Sequence, residues 1–441
     1  MRRLPACASI LLTLWLVLAG CREEAPETTY VCPPCAPHDT LTFEEDGVCP
    51  VCGMQLIEKP DSSSVGEAHL HGGSGNFLIA GGAGHEDELI AVFYHRPESF
   101  APDSPVLVVL PGAGRDAAEY RDAWVEASER HGILILTPRY REAEYDFGDY
   151  HMGGLVDTTN IEEVAEPVPR SSEVMLDEGR LLLEVETNGP EWIFDDFDRL
   201  FELTADAVGS TRNGYDVFGH SAGGQILHRL VLFHPESRAD RIVAANSGFY
   251  TLPDVDQDLP FGLADAPVDE EDLRESFQER LVVFLGAEDD HPDAGGTFLR
   301  SRSADRQGPG RLQRGRHFYE QGQRKARELD VDFRWEIEVV PGVGHDFEGM
   351  TRAAAAYLYG GTGGSGSGGP HRRPGTPAEG ATSPVRVQDE RPAPDVVLPR
   401  DVPRARRIAV YPGGRNRLAE SAGELRELLE LARELSTRLI S

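Results

Sequence analysis

Tyr215-Asp216-Val217-Phe218-Gly219-His220-Ser221-Ala222-Gly223-Gly224-Gln225 is the stretch whose reading decides the fold. The residues up to Phe218 read as a short buried strand, and the run from Gln225 to Phe233 reads as a helix. Gly219 to Gly223 is therefore a G-x-S-x-G turn in strand–turn–helix context. Glycine is needed two places on either side of Ser221 because side chains there would clash in so tight a turn. The serine is lifted to a helix N-terminus, where the positive end of the dipole favours negative charge at a reacting centre.

Outward from that turn, apolar runs alternate with amphipathic stretches. Strands are predicted near 89–94, 106–110, 133–137, 215–218, 241–245, 281–285 and 336–340, with helices near 117–130, 194–208 and 315–329. The predicted fold class is α/β, a doubly wound, mostly parallel sheet spanning residues 76–360. In such sheets ligands sit beyond the carboxyl ends of the strands, so residues just after strands carry the most weight.

A serine hydroxyl needs a base, and the base needs an acid to orient it. The run 281–285 leads into Gly286-Ala287-Glu288-Asp289-Asp290, and the last strand leads into Pro341-Gly342-Val343-Gly344-His345. His345 is the candidate base and Asp289 the candidate acid, with Asp290 the next choice because Glu288, Asp290 and Asp293 crowd the position. The candidate oxyanion donors are the backbone N–H of Ala222 and that of Gly112 or Ala113, in Leu110-Pro111-Gly112-Ala113-Gly114.

Residues from about Asn76 to Gly360 resemble the α/β-hydrolase superfamily, and in particular secreted bacterial hydrolases related to polyhydroxybutyrate depolymerases and feruloyl-type esterases. The similarity runs from Phe218 through His228-Arg229 to Ala244-Ala245-Asn246-Ser247-Gly248-Phe249-Tyr250. It includes Tyr120-Arg121-Asp122-Ala123-Trp124 and Val340-Pro341-Gly342-Val343-Gly344-His345. The resemblance implies an acid at Asp289 and acyl transfer through Ser221, with no cofactor for catalysis. It departs over residues 158–190, a long acidic insertion expected to be either a lid or a loose surface loop.

The chain opens with Arg2-Arg3 and an apolar run from Ile10 to Leu18, too short to span a bilayer. It continues Leu18-Ala19-Gly20-Cys21, which resembles the lipobox of bacterial lipoproteins. Residues 1–20 are expected to be a signal peptide, Cys21 to carry lipid, and residues 21–29 to be a tether. By the resemblance, Arg22 rather than Asp after the cysteine points to the outer membrane.

Cys32-Pro33-Pro34-Cys35 and Cys49-Pro50-Val51-Cys52, thirteen residues apart, bring four thiolates within reach of one tetrahedral metal ion. Residues 30–59 are expected to form a zinc-ribbon-like module, and they resemble small heavy-metal-binding domains with a C-P-x-C-G-M second half. Cys35 stands where many members carry His, and His38 is a substitute ligand. Zinc, another soft metal, or two disulfides all suit the four cysteines. His69 and His71, in a Gly-rich stretch, read as solvated. Residues 60–75 are predicted as linker, 361–416 as disordered, and 417–441 as an amphipathic helix.

The formal net charge is -32, and the only lysines are Lys59 and Lys325. Nucleic acid is excluded as a partner because phosphate binding needs clustered cations. The reading is an envelope-anchored serine hydrolase acting on a small or polymeric ester. Two alternatives stand beside it: a metal-binding lipoprotein with a non-catalytic hydrolase scaffold, and a peptidase using the same triad. The oligomeric state has no signature in the sequence.

Overall fold

The computed structural model describes residues 68–82, 84–185 and 192–360, with 30–31, 42–43, 47–48, 56–58 and 66. The signal segment, Cys21, all four module cysteines (Cys32, Cys35, Cys49 and Cys52), His38, residues 361–416 and the predicted helix 417–441 lie outside them. Of the cysteine module, three two-residue strands are described. Tyr30–Val31 pairs antiparallel with both Thr42–Phe43 and Ile57–Glu58.

The main sheet has eight strands: β1 Gly73–Ala80, β2 Leu89–Arg96, β3 Val106–Leu110, β4 Leu134–Arg139, β5 Tyr215–His220, β6 Ala239–Ala245, β7 Leu281–Gly286 and β8 Glu336–Val340. Their spatial order is β8-β7-β6-β5-β3-β4-β2-β1. Neighbouring strands from β4 through β8 pair in parallel, while β2 runs antiparallel to both β1 and β4. The run β3, Val-Leu-Val-Val-Leu, is buried at every position because both sheet faces are covered. Its alternate residues enter two separate cores: Val106, Val108 and Leu110 on one face, Leu107 and Val109 on the other.

Helices α1 (Ala117–His131) and α5 (Phe347–Tyr359) cover the second face through Trp124, Ala127, Met350 and Leu358. On the first face lie α2 (Phe194–Val208), α3 (Ala222–Phe233) and α4 (Arg311–Glu328), contributing Phe197, Ile226 and Phe318 among others. Gly132 and Gly209 end α1 and α2 in the left-handed conformation that glycine tolerates best. Among the described residues no helix is long and apolar enough to cross a membrane.

Two expectations need correction. The predicted linker 60–75 ends early: Ala68 and Leu70 are buried in the main core, and residues from Gly73 already pair with β2. The glycines and histidines there masked an edge strand of weak apolar pattern. Helix α4 starts one turn before the predicted 315, because Arg311 and Arg314 are buried although charged, so the apolar period understates the helix.

Of the two readings of the insertion, lid or loose loop, its described part does not fit the loose loop. Val156–Thr159 pairs with Leu183–Val185, and Glu173–Leu176 pairs with Ala165–Pro167 and, in parallel, with Phe298–Arg300. An Arg300–Glu173 ion pair at 2.5 Å further ties the insertion to the segment after β7.

Candidate active site

Loops after β3, β5, β7 and β8 meet above the carboxyl edge of the sheet. At the end of β5 the chain turns into α3 through Ser221, whose φ of 58° and ψ of -111° lie in a region L-residues rarely adopt. Glycine at 219 and 223 is dictated by close approach. A Cβ on Gly219 would lie 2.4 Å from the Gly223 carbonyl, and one on Gly223 would lie 2.2 Å from that of Leu110. The strained turn is thus held by backbone packed against backbone.

The structure brings Ser221, His345 and Asp289 together. His345 Nε2 lies 3.0 Å from Ser221 Oγ, and His345 Nδ1 lies 2.8 Å from Asp289 Oδ2. Asp289 is fully buried, whereas Asp290 and Glu288 are exposed. Hydrogen bonds across the loops set this arrangement. Ala287 N–H donates to Val340 O, Glu288 N–H to Val343 O, and Asn246 bridges Gly286 N–H to the Gly344 carbonyl.

Arg311, at the start of α4, is also fully buried. Its Nη1 donates to Asp289 Oδ1 at 3.1 Å and its Nη2 to Thr297 O at 2.9 Å. The acid is therefore shared between an imidazole and a guanidinium. Burial lowers the His345 pKa below its ordinary value, and the Arg311 charge adds to this. The hydrogen bond to Asp289 opposes both.

Around the serine, Ala222 opens α3, and Gly112 and Ala113 follow β3 as predicted. The Tyr120 hydroxyl and His220 Nδ1 share a hydrogen bond at 3.0 Å. Ala113 is exposed. The His220 ring, buried beside that of His345 at 4.7 Å between centroids, is held neutral chiefly by burial.

Ser221 and His345 open into a cavity of about 550 Å³. Its wall is largely apolar, with Phe147, Ile161, Val174, Phe249, Leu299 and Phe347. The insertion supplies Ile161, Glu162, Ala165 and Val174, so it forms part of this wall. Among the lining residues Glu162 is the one carboxylate, and none is Lys or Arg. A separate cavity of about 570 Å³ lies against Asp256, Arg302 and Arg306 and is not lined by Ser221, Asp289 or His345.

Sequence reading missed Arg311, Asn246, Tyr120 and His220 as parts of the site. Tyr120, His220 and Asn246 stand inside stretches quoted for the family resemblance, which was their available signal. Arg311 had none, since a buried cation looks like a surface one until its neighbours are known. Among the described residues no group of three or more His, Cys, Asp or Glu could hold a metal.

Poly(aspartic acid) hydrolase-1 from Sphingomonas sp. KT-1 is 34% identical to this chain; the match covers 66% of this chain and 99% of that one, with a TM-score of 0.56. The poly(3-hydroxybutyrate) depolymerase from Bordetella parapertussis is 28% identical over 67% of this chain and 93% of its own, also with a TM-score of 0.56. No curated protein matches the chain. The family described as heavy metal binding domain matches residues 29–59. With its eight-stranded, mostly parallel sheet and these relatives, the chain belongs to the α/β-hydrolase superfamily and carries a heavy metal binding domain ahead of the hydrolase fold.

Proposed function

We propose that this protein is a serine hydrolase that cleaves a carboxylic ester by acyl transfer. The observation that carries the reading is the pair of contacts joining Asp289 to His345 and His345 to Ser221 at the mouth of an apolar cavity. In the reaction His345 Nε2 takes the Ser221 proton as Oγ attacks the ester carbonyl. Asp289 holds the ring in the tautomer that faces the serine with its lone pair. The oxyanion accepts hydrogen bonds from Ala222 N–H and from the N–H of Gly112 or Ala113, in the loop after β3. His345 returns the proton to the departing alcohol, and water, activated by the same imidazole, releases the acyl group.

The relative named for poly(aspartic acid) raises an amide of a polyanion as a second substrate. Such a chain would meet Glu162 and no cationic side chain on the cavity wall, on a protein of net charge -32. That favours a neutral ester. The proposal is tested with the full chain: p-nitrophenyl butyrate should be hydrolysed, and a fluorophosphonate should label Ser221 at one per chain. Labelling elsewhere, or no hydrolysis, overturns it.

Burial and Arg311 keep His345 neutral to lower pH than an ordinary histidine. The acid limb of kcat/KM should accordingly lie below the usual histidine range, with rate rising as pH increases through it. Arg311→Met removes a cation beside the ring and strengthens the pull of Asp289, and both effects raise the imidazole pKa. The limb should move to higher pH by about one unit, and less in Arg311→Lys, in a pH–rate profile; an unmoved limb refutes this role.

We infer that Cys21 anchors the enzyme in the bacterial envelope, most consistently at the outer membrane. The four cysteines of the N-terminal domain supply soft thiolate donors suited to zinc or another soft metal. The proposed hydrolysis takes no step through that metal.

A further inference from the structure

The loop after β3 has its peptide planes fixed at their carbonyl ends. Pro111 O accepts from Gly223 N–H at 3.0 Å and from the Tyr150 hydroxyl at 2.7 Å. Gly112 O accepts from Arg115 N–H at 3.0 Å. A trans peptide is planar, so the Pro111 carbonyl and the Gly112 N–H are two ends of one rigid unit. The Gly112 carbonyl and the Ala113 N–H are two ends of the next. Whichever of these N–H groups meets the oxyanion, its direction is set by these bonds.

Arg115 closes the loop at a φ of 57°, in the left-handed region where glycine would be less strained. A large side chain stands there all the same, and it is only 5% exposed. Its Nη1 donates to the carbonyls of Tyr140 at 2.8 Å and Tyr145 at 3.2 Å. Its guanidinium carbon lies 3.8 Å from the centre of the Tyr150 ring, a cation–π stack. The backbone of Arg115 and the hydroxyl of Tyr150 therefore hold the two ends of one loop, and the stack joins them.

Tyr150 belongs to the π-helical turn Phe147–His151, which faces two ways. Phe147 and His151, stacked at 4.6 Å, line the cavity, whereas Tyr150 is fully buried and reaches the loop. Arg229 Nη1 donates to His151 O at 2.6 Å and ties the turn to α3. Burial raises the Tyr150 pKa above its ordinary value, so the hydroxyl keeps the proton it donates.

We propose that Arg115 and Tyr150 are positioning residues for the oxyanion hole, holding the peptides from Pro111 to Ala113 in the orientation that meets the tetrahedral intermediate. The assignment rests on the serine-hydrolase reading above, and adds to it the side chains that keep the donor loop in place. Oxyanion-hole donors are worth most when they need no reorganisation at the moment of reaction. Loosening the loop should thus cost turnover and leave ground-state binding alone.

The test is Tyr150→Phe in the full chain, which removes one bond to Pro111 O and keeps the ring on Arg115. For p-nitrophenyl butyrate kcat should fall by about 10- to 100-fold, less than for a donor removed outright, because Gly223 N–H still holds the same carbonyl. KM should stay within about threefold of the wild-type value. Propyl trifluoromethyl ketone, whose hemiketal with Ser221 places an oxyanion in the hole, should lose affinity by a factor similar to the fall in kcat. The acid limb of the pH–rate profile should not move, which separates this effect from a displaced His345. Circular dichroism checks the fold. Arg115→Lys, which keeps the charge and loses the flat stack, should show the same parallel loss and stands in if Tyr150→Phe does not fold. Wild-type kcat in a folded variant, a fall in kcat with ketone affinity unchanged, or a shifted limb overturns the assignment. Absence of hydrolysis by the wild type would instead strike at the serine-hydrolase reading.

Discussion

Ser221→Ala is expected to lower kcat for p-nitrophenyl butyrate by about 10⁴- to 10⁶-fold, the range for removing a nucleophile whose partners act as a unit with it. Among the described residues, the hydroxyl hydrogen-bonded to His345 Nε2 is that of Ser221, at 3.0 Å and at the head of α3. Some catalysis over water should persist, since backbone donors and the cavity remain. The fold should survive, because alanine meets the same backbone strain at φ 58° that serine already bears, and the elbow is held by the approach of Gly223 to Leu110. Initial rates, phosphonate labelling and thermal unfolding separate these effects. More than a tenth of wild-type activity in a folded Ser221→Ala protein would remove Ser221 from the mechanism.

What was readable in the sequence divides along physical lines. Strands buried on both faces are short continuous apolar runs, and β3 was found to its last residue for that reason. The turn at Ser221 was legible because steric crowding leaves glycine as the one workable residue at its flanks, so geometry is written into composition. The loop carrying His345 was marked by glycines past a strand end. Harder to read were elements whose burial contradicts their chemistry.

Arg311 and Arg314 hide the first turn of α4, and Gly73 to Gly75 open an edge strand with no apolar side chain. The choice between Asp289 and Asp290 could not be made from neighbours in sequence. It depends on which carboxylate the β7 loop turns inward, and that is set by contacts with Asn246, Val343 and Leu312, between 23 and 54 residues away in the chain. The cavity wall built by the insertion was equally out of reach, since it arises from strand pairing between Glu173–Leu176 and Phe298–Arg300.

Asp289→Asn should carry two penalties that can be measured apart. Asparagine can present an N–H to His345 and stabilise the wrong tautomer, so kcat should fall by about 10³- to 10⁴-fold. The same change strips Arg311 of its counter-ion at a fully buried site, where an uncompensated charge costs about 3–5 kcal/mol. Asp290→Asn, on the exposed neighbour, should show neither effect. The double variant Asp289→Asn/Arg311→Met then distinguishes the roles. Removing the stranded guanidinium should recover most of the lost thermal stability and leave the rate near that of Asp289→Asn. If the rate recovers together with the stability, Asp289 supports the fold through Arg311 and does not orient the imidazole. If Asp290→Asn is the variant that loses activity, the acid has been assigned to the wrong carboxylate.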